Sequence, residues 1–224
     1  MKTTGELTER SVLIPPAGLE GDLVIPEKAT AVIAFAHGSG SSRHSPRNQY
    51  VARVLQQGGL ATLLFDLLTA EEERIDVQTA HLRFDIALLA RRLSEATAWL
   101  KKDKDTRHLL VGYFGASTGA AAALVAAAQR RGDVFAVVSR GGRPDLAGAS
   151  LPLVKASTLL IVGGQDTPVI EMNEDAFRQL HMEEKKLEIV PGATHLFEEP
   201  GTLEKVASLA RDWFKRELTY VESR

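Results

Sequence analysis

Apolar runs five or six residues long recur along the chain, and each one ends in a loop of glycine and small polar residues. Ala31-Val32-Ile33-Ala34-Phe35-Ala36 is apolar throughout, and Ala61-Thr62-Leu63-Leu64-Phe65 nearly so. Strands without alternation are covered on both faces, as in a parallel sheet. Residues 134–138 and 158–162 repeat the pattern, and 186–190 form a more polar last strand. Two shorter runs, 11–14 and 22–25, flank Pro15-Pro16-Ala17-Gly18 and read as an opening strand pair.

Helical periodicity fills the gaps. A helix begins near Pro46 with Val51, Val54 and Leu55 on one face, and Gly58-Gly59 stops it. Leu82, Ile86, Leu89, Leu93 and Ala96 recur at three- and four-residue steps, which predicts one long helix over 79–102. Residues 67–76 read as an acidic loop, with Glu71-Glu72-Glu73 as a solvated face. A helix over 169–180 and an amphipathic final helix through Trp213 and Phe214 complete the set. Strand–helix alternation predicts an α/β fold with helices on both sheet faces. There is no repeat, low-complexity tract or linker, so residues 1–224 read as a single domain.

Composition narrows the class of protein. At 44% hydrophobic and 25% charged, the chain is ordinary for a globular domain, and it can bury a full core. A net charge of −2 with no basic block gives no reason to expect nucleic acid or an anionic membrane as a partner. The absence of cysteine excludes disulfides and a cysteine nucleophile. The first residues are polar, unlike a signal peptide, and no apolar run nears the roughly 20 residues of a membrane helix. The expectation is a cytoplasmic protein.

Candidate chemistry centres on Gly115-Ala116-Ser117-Thr118-Gly119, between an apolar run and the alanine-rich run Ala120-Ala121-Ala122-Ala123. Strand, tight turn with serine, then helix is the context of a nucleophile elbow. Small neighbours are needed because the turn is crowded. The plainer alternative makes Ser117 only a helix N-cap. A serine hydroxyl needs a base, and the base needs an orienting acid. His195 follows the last strand and Asp166 the one before, in the order Ser, acid, His. Asp166 could instead cap the helix opened by Thr167-Pro168, and His195 could be a loop residue bonded to backbone. For an oxyanion hole, the backbone N–H groups of Thr118 and of the loop His37-Gly38-Ser39-Gly40 are the candidates. Ser39 is preferred and Gly38 second, with His37 as a loop anchor.

His37-Gly38-Ser39-Gly40, the Ser117 elbow, Gly163-Gly164-Gln165-Asp166 and Gly192-Ala193-Thr194-His195 together resemble the α/β-hydrolase superfamily. Within it they resemble the dienelactone-hydrolase-like group. The resemblance implies an eight-stranded, mostly parallel sheet with its second strand antiparallel. Dienelactone hydrolase proper uses a cysteine nucleophile. Ser117 therefore points away from dienelactones and toward a general serine esterase that needs no cofactor or metal. No segment is long enough for a separate cap domain, which implies an open site for small or exposed acyl groups on a small-molecule ester.

Arg43, Arg47, Arg140 and Arg143 fall in loops expected at the same end of the sheet. Arg43 and Arg140 are candidate binders of a substrate carboxylate. Their Pro and Gly neighbours favour loop bracing instead. Asp66 and Asp145 read as structural. Two other functions share the pattern: an acyltransferase or thioesterase with the same three residues, and a non-catalytic binding protein on the same fold. The spacing of motifs sets neither the acyl and alcohol groups nor the oligomeric state.

Overall fold

The computed structural model describes residues 7–223. Its eight strands are β1 (Leu7–Ile14), β2 (Leu19–Pro26), β3 (Ala31–Ala36), β4 (Ala61–Phe65), β5 (Leu110–Ala116), β6 (Val134–Arg140), β7 (Ser157–Gly163) and β8 (Lys185–Val190). They form one sheet in the order β1-β2-β4-β3-β5-β6-β7-β8. β2 is antiparallel to both its neighbours, and every pairing from β4 across to β8 is parallel. This is the α/β-hydrolase architecture, and the opening strand pair is the β1–β2 hairpin.

The apolar strands lie centrally because both their faces are covered. On one face, Ala31, Ile33 and Phe35 of β3 share a core with α1 (Pro46–Gln57) and α6 (Thr202–Glu222). On the other, Val32, Ala34 and Ala36 share a core with α3 (Ile86–Leu100) and α4 (Thr118–Gln129). Phe35 and Phe114 meet on the α1–α6 face with ring centroids 4.9 Å apart. Such a pair contributes about 0.5–1.5 kcal/mol beyond its buried area. On β6, Ala136 and Val138 face α1 and α6 while Val137 faces the opposite core. The same alternation carries Arg140, at the strand's end, to the α1 side, where it meets Asn48. Among the described residues, no helix is long and apolar enough to cross a membrane.

Two expectations need correction, both between β4 and β5. The predicted acidic loop over 67–76 contains helix α2 (Ala70–Thr79). A reciprocal cap starts it: the Thr69 hydroxyl accepts from the Glu72 N–H, and the Glu72 carboxylate accepts from the Thr69 N–H. Glu72 also pairs with Arg92 at 2.7 Å, so the acidic triplet is not simply a solvated face.

The single helix predicted over 79–102 is broken. Ala80 is left-handed (φ 52°), Leu82–Phe84 form a 3-10 turn, and α3 begins only at Ile86, capped by Asp85. Buried Asp76 supplies the reason. Its carboxylate accepts the N–H groups of Leu82 (2.6 Å) and Arg83 (3.1 Å), which turns the backbone out of the helical path. Burial works against that charge, but hydrogen bonds from Arg83 and Leu82 hold the carboxyl below the usual carboxylate range. Leu82 still packs on the same core as Leu89 and Leu93. The periodicity reported burial there, while the backbone followed Asp76.

Candidate active site

Ser117 joins β5 to α4 at φ 50°, ψ −121°, a conformation L-residues rarely adopt. The surroundings hold it there. Its N–H donates to the Arg140 carbonyl at 3.2 Å, and its own carbonyl accepts from Ala120 and Arg143, each at 3.1 Å. Glycine is required on both sides of the turn. A Cβ at Gly115 would lie 2.5 Å from the Ala120 Cα, and one at Gly119 would lie 2.1 Å from the Ala36 carbonyl oxygen. Ser117 occupies the N-cap position of α4, yet its hydroxyl makes no capping bond. The N-cap alternative therefore leaves the hydroxyl without a task.

His195 lies on the loop after β8, and its Nδ1 is 2.6 Å from Asp166 Oδ2. An ionised carboxylate only accepts, so Nδ1 carries the proton and Nε2 is left for another partner. Asp166 sits at the N-cap of α5 (Thr167–Gln179), but its side chain caps nothing there. The two loops are stitched together. Gly164 N–H donates to the Val190 carbonyl at 2.8 Å, and Gln165 N–H to the Ala193 carbonyl at 2.9 Å. A Cβ at Gly163 would lie 2.5 Å from the Ala193 oxygen, so that approach needs glycine. Glu199, which sequence reasoning missed, braces the His195 loop by accepting from the Thr194 hydroxyl (2.6 Å) and N–H (3.1 Å). The Thr194 hydroxyl, followed by its N–H, holds the Glu199 carboxyl below the ordinary range.

The loop after β3 runs beside the elbow, and a Cβ at Gly38 would lie 3.2 Å from the Ser117 Cβ. Among the described residues, the N–H groups of Ser39 and Thr118 have no acceptor. His37 anchors the loop as expected. Its Nδ1 donates to the Gly38 carbonyl (3.0 Å), and its Nε2 accepts from the Leu67 N–H (3.1 Å). That pattern is the neutral imidazole, and burial pushes its pKa below the ordinary 6.5.

Ser117, His195, Ser39 and Arg140 line one cavity of about 260 Å³, together with Gly38, Ser41, Ser45 and Arg47. Arg43 is not brought there. Its guanidinium pairs with Asp66 and with Glu20, so it braces the loop. Arg143 is held by Asp145 at 2.8 Å, which gives Asp66 and Asp145 the structural roles expected of them. Arg47 and Asn48 reach the site from the first turn of α1, a placement that only the packing of α1 against the sheet reveals.

The dienelactone hydrolase family model matches residues 19–223. The structure of a dienelactone hydrolase from Anabaena variabilis is 64% identical. It covers 95% of this chain and 98% of its own, with a TM-score of 0.91. Est1E from Butyrivibrio proteoclasticus shares the fold at 16% identity, with a TM-score of 0.76 over 93% of this chain and 99% of its own. Curated proteins from two Mycobacterium tuberculosis strains, named as candidate phosphoribosyl transferases, are 61% identical over 206 residues, or 92% of this chain. The chain spans about half the length of these relatives, 45% of each. Sequence, sheet order and elbow agree, and the chain belongs to the dienelactone hydrolase family.

Proposed function

We propose that the chain is a serine hydrolase of carboxylic esters with small or exposed acyl groups. Membership of the dienelactone hydrolase family supports a hydrolase. One observation carries the finer reading. Ser117 is held in a strained turn with an uncommitted hydroxyl, and it shares a cavity with His195, whose Nδ1 is committed to Asp166.

In this reading His195 Nε2 takes the Ser117 proton as the serine oxygen attacks the acyl carbonyl. Asp166 holds the tautomer and stabilises the imidazolium. The N–H groups of Ser39 and Thr118 receive the oxyanion, each contributing about 3–4 kcal/mol of transition-state stabilisation. His195 returns the proton to the leaving alcohol. Water then repeats the sequence on the acyl-enzyme and releases the acid. The phosphoribosyl transfer named for the mycobacterial relatives is not assigned to this chain, because more than half of each relative lies outside the match.

Ser117→Ala tests the reading. Hydrolysis of p-nitrophenyl acetate should fall by about 10³-fold or more, while Tm stays within about 2 °C. A variant as active as the parent would remove Ser117 from the mechanism.

A further inference from the structure

We propose that the Arg140–Arg47 end of the Ser117 cavity is an anion subsite that takes a phosphate group carried by the ester substrate. The proposal rests on the hydrolase reading for the bond that is cleaved, but the subsite itself can be tested without turnover.

Arg140 is 7% exposed, yet no carboxylate lies within ion-pairing distance of it among the described residues. Its one hydrogen bond is a long one, 3.5 Å, to Asn48 Oδ1, and its Nε is buried without a partner. Arg43 and Arg92 also have an unpartnered Nε, but they and other little-exposed guanidiniums have acids beside them. Arg83 pairs with Asp76 at 2.6 Å, Arg92 with Glu72 at 2.7 Å, and Arg43 with Asp66 and Glu20. A buried charge without a counter-charge is strongly unfavourable, so a fold gains nothing from this one. Burial first, and the neighbouring charge of Arg47 second, push the Arg140 pKa down to about 10. The group is still a cation at neutral pH.

The cavity wall matches that charge in kind. Arg47 also has a buried Nε without a partner, and its outer edge is held by Glu198 at 3.2 Å. Ser39 and Ser41 contribute hydroxyls that no protein group occupies, and no acidic residue lines the cavity. Helix α1 starts beside the cavity, with its cap residue Ser45 and Arg47 of its first turn in the lining and no acid in that turn. Donors thus converge from the strand end, the helix start and the serine loop.

This arrangement selects a phosphate over a carboxylate. A carboxylate carries one charge in one plane, and a single guanidinium fork satisfies it. A phosphate monoester approaches two charges and presents three terminal oxygens in a tetrahedral array. Two guanidiniums and the hydroxyls of Ser39 and Ser41 fit the second. The substrate class is then a carboxylic ester with a phosphate monoester a few bonds from the scissile carbonyl. Water adds to the acyl group and the alcohol leaves. The phosphate is bound and not transferred.

The test is calorimetric titration of Ser117→Ala protein with inorganic phosphate at pH 7.5 and constant ionic strength, with acetate and succinate titrated in parallel. Phosphate should bind more tightly than either carboxylate. Adding Arg140→Gln should weaken it about tenfold or more, and adding Arg47→Ala about threefold. Should Arg140→Gln fail to fold, the half-exposed Arg47 position decides the matter. Equal phosphate affinity with and without the arginines, no phosphate binding, or tighter carboxylate binding would each overturn the proposal. None of these outcomes touches the hydrolase reading, because the titrated protein has no nucleophile.

Discussion

Arg43 stands in the loop that follows β3 and Arg140 at the end of β6, and their surroundings are opposite. Arg43 lines a cavity of about 490 Å³ with Glu20, Asp66 and Glu73. Its guanidinium is committed to Asp66 and Glu20, and its backbone N–H reaches Asp66 at 2.7 Å. Arg140 lines the smaller cavity, about 260 Å³, which holds no acid and is shared with Ser117 and His195. The larger cavity contains none of Ser117, Asp166 and His195. Size and chemistry therefore pick out different cavities. Both arginines sit near small residues and polar loops in the sequence. What separates them is whether their donors are spent inside the fold. Arg43 is a brace, and Arg140 is left with one long hydrogen bond and no counter-charge.

The contrast is sharpest where it is tested by activity. Asp166→Asn keeps the size of the side chain but favours the wrong His195 tautomer, so kcat should fall by about 10³-fold or more. Steady-state hydrolysis of p-nitrophenyl acetate reads this directly. A loss below tenfold would mean that Asp166 only positions a loop. In the larger cavity, Arg43→Ala should act on stability. It leaves the half-buried Asp66 carboxylate with the backbone N–H but without the guanidinium, a cost of about 1–3 kcal/mol in urea unfolding.

Arg140→Met should do the reverse. Removing an uncompensated buried cation should raise stability by about 1 kcal/mol, or leave it unchanged. If both arginines cost the same when removed, the comparison between them fails.

The smallest effect concerns His37. Burial lowers its folded pKa below 6.5, so the folded state prefers neutral imidazole while the unfolded chain takes up a proton. Stability is therefore present above pH 6.5 and is lost as pH falls below it. Urea midpoints measured from pH 7.5 down to pH 5 should decline, and the decline should be shallower in His37→Asn. Identical slopes for parent and variant would place the acid sensitivity elsewhere.

Much of this is legible in the sequence. β3 and β4 were readable because a strand covered on both faces has no polar positions to confuse its period, and α1 because Pro46 and Gly58-Gly59 bound it. The candidate site was readable because Ser117 and Asp166 each follow a strand beside glycines that crowding requires, and His195 follows β8 through Gly192, whose φ is 75°. The α2 region was not. Its helix depends on the Thr69–Glu72 cap, which an acidic run disguises, and its end depends on a side chain binding backbone six and seven residues ahead. The surroundings of Arg140 were also hidden. Sequence can name an arginine, but only packing shows that no acid comes near it.

The central claim is that Ser117 and His195 act as nucleophile and base. A fluorophosphonate probe tests it without the natural substrate, since it reacts with an activated serine. After treatment, intact mass and peptide mapping should show one adduct, on Ser117, and His195→Ala should lose it. Folded parent protein that takes up no probe, or takes it up elsewhere, would contradict the account and leave a binding protein on a hydrolase fold.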